Sequence, residues 1–177
     1  MADPVFAPTA PSPIPADLSY DVADVTATYI VRVASWPTDE KTVARSLKSV
    51  TGLSGDVGTF SRKSVTTLFA LSPATWLITT EESDIANALL ALPEDQAATT
   101  DVSGGHVFFD VSGDHAHFKL NKGAILDFSV SAFPVGTLKQ TAIHHMPTVI
   151  ARTSDDAFVV STLRSFGDEL QSWLKRR

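Results

Sequence analysis

The chain ends in a single amphipathic stripe, and that stripe decides most of what the rest can do. From Leu163, apolar residues recur at Phe166, Leu170, Trp173 and Leu174, the 3.6-residue period of a helix with one buried face. Asp168 and Glu169 in its early turns and Lys175, Arg176 and Arg177 in its last suit the helix dipole at both ends. Thr162 and Ser165 are both candidate caps for its start. Three apolar runs precede it, near Leu138 to Ile143, Thr148 to Arg152 and Ala157 to Ser161, each of strand length. A one-sided helix fed by such strands must bury its stripe on a sheet, which restricts the chain to α+β layers.

The same device stands once upstream. Val25 to Val33 alternates and is rich in β-branched residues, so it predicts a strand that Trp36-Pro37 breaks. Thr38 is placed to cap a helix with Asp39 and Glu40 in its first turn and Val43, Leu47 and Val50 on one face, and Gly52 is placed to end it. Strands are predicted at Val65 to Leu71 and Thr75 to Thr80 around the Ser72-Pro73-Ala74 turn, then a helix capped by Ser83, with Ile85, Leu89 and Leu92 inward and Pro93 as its stop. The second half repeats the order, beginning with a strand carrying Val107, Phe109 and Val111. A short helix follows, opened by Ser112 or Asp114 and closed by Gly123. Thr75 to Thr80 before Ser83 parallels Ala157 to Ser161 before Arg164. We therefore read an α+β fold of duplicated strand-helix-strands-helix units, with mostly antiparallel sheets because the strands are short and hairpin-linked. Residues 21–177 form one globular domain on this reading, with subdomains 21–95 and 96–177.

Residues 1–20 differ from the rest. Pro4, Pro8, Pro11, Pro13 and Pro15 exclude helix and remove ladder donors, so the segment reads as an extended arm, either a free tail or a strap for another subunit. A net charge of −6 gives no basic footprint for nucleic acid. The absence of cysteine excludes disulfides, thiolate nucleophiles and Cys-rich zinc sites. No stretch approaches the ~20 apolar residues of a membrane span, and the N-terminus lacks the pattern of a secretory signal, so a cytoplasmic location is expected. With 44% hydrophobic and 19% charged residues, the chain has apolar surface to spare for a partner or for a second copy of itself.

Candidate chemistry is sparse. His115 and His117 share a face only in a strand, and they fall in the predicted short helix; the neighbours His144 and His145 point apart. Gly52 to Gly58 is glycine-rich but has neither the spacing nor the preceding strand of a dinucleotide fingerprint. Asp155-Asp156 reads as a hairpin turn, and Phe133-Pro134-Val135-Gly136 as a turn ahead of Gln140 and Thr141. No catalytic, cofactor-binding or metal residue is assigned in this chain.

One set of residues resembles a known family. Leu126-Asp127-Phe128, Phe133-Pro134 with Gly136, Gln140-Thr141, Ile150 with Arg152, Asp156 with Phe158, and Arg164-Ser165-Phe166 with Leu170, Trp173 and Leu174 together resemble the gamma subunit of heterotetrameric sarcosine oxidase. Trp76-Leu77 after the Ser72-Pro73 turn is similar to that family's strand turn, with Ser72 in place of a glycine; Ala124 and Ile125 stand where the family often has a cysteine. The resemblance implies a fold like the folate-binding domain of aminomethyltransferases. It implies a non-catalytic subunit acting in assembly and stability, whose alpha and beta partners hold FAD, FMN, NAD and the folate-binding region, with a delta subunit as a further partner. That complex demethylates sarcosine oxidatively and passes the one-carbon unit to tetrahydrofolate. It also marks Phe133, Gln140, Thr141, Arg164, Ser165, Phe166 and Trp173 as family-motif or interface positions. The alternative is a free-standing folate- or pterin-binding protein, with Asp101, Asp110 or Asp127 reading the pterin's donor edge.

Overall fold

The computed structural model describes residues 19–176, so the expected arm lies outside the described residues apart from Ser19 and Tyr20. In chain order the elements are β1 (Asp21–Val25), β2 (Tyr29–Ser35), α1 (Glu40–Thr51), β3 (Phe60–Lys63), β4 (Thr66–Ser72), β5 (Thr75–Thr80), α2 (Ser83–Leu90), β6 (Ala97–Asp101), β7 (His106–Ser112), α3 (Ala116–Asn121), β8 (Leu138–Ile143), β9 (Met146–Ser154), β10 (Ala157–Leu163) and α4 (Gly167–Lys175). All strand pairings are antiparallel, in two five-stranded sheets ordered β3-β4-β5-β2-β6 and β1-β7-β10-β9-β8.

Each sheet buries one face under helices and the other against its twin. Val31, Val33, Leu68, Trp76 and Ile78 of the first sheet pack on Val43 and Leu47 of α1 and Ala86 and Leu89 of α2. Phe109, Val111, Ile150, Phe158 and Val160 of the second pack on Ala116 and Leu120 of α3 and Leu170 and Leu174 of α4. Between the sheets lie Ile30, Phe69, Leu77, Phe108, Leu138, Ala151 and Val159, with Phe60, Phe69 and Phe108 stacked at 6.1 and 5.8 Å. Strands buried on both faces need near-continuous apolar runs, which is why β4, β5, β9 and β10 lack clean alternation.

The duplication is visible in the order. β2-α1-β3-β4-β5-α2 and β7-α3-β8-β9-β10-α4 lay their strands in the same arrangement, and each half is preceded by one further strand. Those two leading strands are exchanged. β1 runs into β2 but pairs with β7 of the other half, and β6 runs into β7 but pairs with β2. The predicted strand Val25 to Val33 is therefore two strands in different sheets. Thr26-Ala27-Thr28 has the composition of a strand yet carries the chain across the seam. β3 and β6 were not predicted: FSRK and AATTD lack apolar alternation because both are sheet edges.

The helix starts also differ from expectation. Asp39, not Thr38, occupies the N-cap of α1, and the Thr38 hydroxyl bonds the Asp39 carboxylate at 2.7 Å. Glu82 and His115 hold the N-cap positions of α2 and α3 in place of Ser83 and of Ser112 or Asp114, and no side chain caps any of these starts. The chain enters α4 through a 3₁₀ turn at Arg164–Phe166; Thr162 is buried and donates to the Pro147 carbonyl, and Leu163 closes β10 and is exposed rather than opening the stripe. Gly52 ends α1 as predicted, at φ 71°.

Candidate functional site

The resemblance residues do not converge on one spot. Phe133 is fully buried, its ring among Phe128 and Phe158, so its position is set by core packing. Gln140 is exposed on edge strand β8, where its side-chain amide donates to the Leu71 carbonyl at 2.6 Å and ties one sheet to the other; Thr141 beside it is half-buried. Arg164 and Ser165 are exposed in the 3₁₀ turn, anchored by the Arg164 N–H on the Gly105 carbonyl. Phe166 and Trp173 are half-buried, each edge-on to a histidine of the β8–β9 turn: Phe166 to His145 and Trp173 to His144.

Two cavities open along the seam on either side of the β1–β2 crossing. The larger, about 400 Å³, has Ser103, His106, Arg164, Asp168 and Gln171 among its walls, with the Gln171 amide on the Asp24 carboxylate at 2.6 Å. Burial, helped by the Arg32 charge, holds the His106 imidazole below its ordinary range. The smaller, about 230 Å³, is lined by Arg62, Thr79, Glu81 and Asp110; burial pushes the Asp110 carboxyl up, and Arg62 opposes it. Of the three candidate carboxylates only Asp110 faces a cavity in the seam. Asp101 and Asp127 are exposed and held below their ordinary range by hydrogen bonds from Ser103 and Ser129 within their own turns.

The strongest polar features are two buried cations: Arg152, which the sequence marks only as part of the family pattern, and Lys119, which it does not mark, because a charged residue reads as surface. Arg152 is 3% exposed on β9. Its Nη1 donates to the carbonyls of Phe128 (2.8 Å) and Phe133 (3.1 Å), Nη2 to that of Asp155 (2.5 Å) and Nε to that of Ser154 (3.2 Å), while its carbon sits 5.2 Å from the Phe158 ring centre. Lys119 on α3 is 5% exposed; Nζ lies 4.2 Å over the Trp173 ring and donates to the Arg176 carbonyl at 2.5 Å. The Tyr20 hydroxyl donates to the carbonyls of Leu174 and Arg176, so both side chains finish the C-terminal end of α4. Burial, with Lys122 and Arg176 nearby, lowers Lys119 to about 8. The sequence signals for Arg152 are its place in the family pattern and its setting directly after Ile150-Ala151 in an apolar run.

His115, His117 and His145 make local contacts. His115 Nδ1 accepts the Ser19 N–H at 3.0 Å, His117 tilts on Phe118, and His145 lies 3.4 Å from the Glu169 carboxylate. Among the described residues no group of three His, Cys, Asp or Glu is arranged to hold a metal ion, and no helix is long and apolar enough to cross a membrane.

The family model for the sarcosine oxidase gamma subunit matches residues 38–177. Among solved structures, a chain of the heterotetrameric sarcosine oxidase from Corynebacterium sp. U-96, in complex with pyrrole 2-carboxylate, superposes with a TM-score of 0.74 at 21% identity. The alignment covers 88% of this chain and 81% of that one, a likeness of fold. None of the curated proteins matches.

Proposed function

Because the chain belongs to the sarcosine oxidase gamma subunit family, we propose that it is a non-catalytic subunit of a heterotetrameric sarcosine oxidase, acting in assembly and stability. Its companions are alpha and beta subunits, which hold FAD, FMN and NAD and pass the one-carbon unit of sarcosine to tetrahydrofolate, and a delta subunit, in the cytoplasm. The family match carries this reading. The internal chemistry fits a structural role: both buried cations donate to backbone carbonyls, which stabilises the fold.

The test is to assemble the complex with and without this chain and follow yield, thermal inactivation and turnover per flavin. Loss of yield or faster inactivation without it is the expected result, with turnover per flavin unchanged by Arg164→Ala or Asp110→Asn. A complex equally stable without the chain overturns the assembly role, and a fall in turnover per flavin with either variant overturns the non-catalytic one.

A second reading, a free-standing folate- or pterin-binding protein, is favoured by Asp110 alone, as a half-buried carboxyl facing a cavity. That cavity is smaller than the ~300–1,000 Å³ of ordinary ligand sites. Calorimetry with a reduced folate decides: heat abolished by Asp110→Asn favours this reading, and no heat at high micromolar ligand removes it.

A further inference from the structure

The segment 122–137, between α3 and β8, carries apolar side chains both inward and outward, the outward ones among exposed Lys122, Asp127, Ser129 and Ser131. Inward, Ala124, Phe128 and Phe133 are buried in the core; outward, Ile125 is 99%, Val130 53% and Val135 46% exposed. The inward set and the backbone bonds fix its course without help from the outward set. Ala124 bridges to Ile143, the Asp127 carboxylate accepts the Ser129 N–H, Arg152 holds the Phe128 and Phe133 carbonyls, and the Gly136 N–H donates to the Arg152 carbonyl. A single exposed isoleucine is ordinary. The three stand along a stapled loop, Ile125 by the Ile143 end of β8 and Val135 by its Leu138 end with Val130 between them in sequence, on a backbone already ordered for contact, so little freedom is lost on docking.

We propose that this outward face is where the chain docks on a larger subunit of its complex, through a segment of that subunit that is apolar at its centre and carries Lys or Arg. The proposal rests on the gamma-subunit reading. The charge of the occupant follows from the groove beside the loop, where Val130 and Phe118 stand with Asp127, Asp155 and Asp156. Arg152, which also lines the groove, gives its donors to backbone carbonyls and keeps its charge, so the three carboxylates outnumber the one fixed cation beside them. The groove thus offers carboxylates to a cationic visitor. The chain's own residues 1–18 contain Asp3 and Asp17 and no Lys or Arg, the wrong charge to fill it.

The experiment co-expresses the tagged full chain with the sarcosine oxidase large subunits of its own organism and measures their recovery on the tag. The variants are Ile125→Glu/Val130→Glu and Asp155→Lys/Asp156→Lys, with Leu90→Glu, an exposed residue of α2, as control. With unfolding midpoints unchanged, the loop variant should lower recovery about tenfold or more, the lysine variant should weaken it and remove its salt dependence, and the control should match the unaltered chain. Recovery of the loop variant equal to that of the unaltered chain overturns the docking face while leaving the subunit reading intact. Self-association lost in the loop variant, with large-subunit recovery kept, assigns the face to a second copy and overturns the occupant. Failure of the unaltered chain to recover any large subunit overturns the gamma-subunit reading itself, and this proposal with it.

Discussion

The two halves of the chain carry the same elements in the same order but satisfy their buried backbone differently. In the first half α1 is 12 residues long and residues 52–59 lead from it to the sheet. In the second α3 has 6 residues, and residues 122–137 take over the ground a longer helix would cover. A helix satisfies its own carbonyls; a loop packed on a core does not. Among the described residues the first half buries only hydroxyls among its polar side chains, from Ser35 to Thr80, whereas the second also buries Arg152, which holds the loop carbonyls of Phe128 and Phe133, and Lys119, which serves the end of α4 instead. Shortening a helix within a duplicated fold thus transfers hydrogen bonding from backbone to side chain, and an arginine with five donors is the economical replacement.

Substitutions sharpen that comparison. Phe133→Ala, at the inner anchor of the long loop, should cost about 3–5 kcal/mol in urea unfolding, while Leu53→Ala, the buried residue of the short one, costs about 2 kcal/mol. Arg152→Met keeps volume but strips donors from four carbonyls and should cost about 3 kcal/mol; Thr51→Val in the first half, removing one hydroxyl bonded to Leu47, costs about 1 kcal/mol. Equal losses from Arg152→Met and Thr51→Val would break the contrast between the halves.

Lys119 gives a signature in pH. Its folded value of about 8 lies below the ordinary 10.5, so the unfolded chain binds the proton more tightly, and stability rises as pH climbs between those values. Lys119→Met should abolish that rise, about 1–2 kcal/mol after allowance for partial solvation, read as unfolding free energy against pH. Smallest is Gln140→Ala, which removes the inter-sheet bond to Leu71 and should cost about 0.5–1 kcal/mol. A larger loss would mean that the halves depend on this strap more than on their shared apolar seam.

What was legible in the sequence was what neighbouring residues determine. Thr75 to Thr80 is the observed β5, α1 ends at Gly52, Asp155-Asp156 is the turn between β9 and β10, and the α4 stripe from Leu170 to Leu174 faces the core. Ladder partners are set by distant residues, so the split of Val25 to Val33 and the edge strands β3 and β6 left no local trace. Of the resemblance positions, Phe133 is core and Gln140 a strap, while Arg152, beside Ile150 in the same pattern, holds two carbonyls of the loop. Its charge concealed it.

The exchange of β1 and β6 has a consequence for how the protein is made. Asp21 ladders with Ser112, and Val31 with Asp101, so neither sheet is complete when the first half has left the ribosome. The strand synthesised first must wait for β7, holding Val22 and Val25 in solvent meanwhile. Such sequence-distant pairings slow the search for the native state, and a break anywhere between residues 91 and 96 would leave two fragments, each carrying an edge strand of the other.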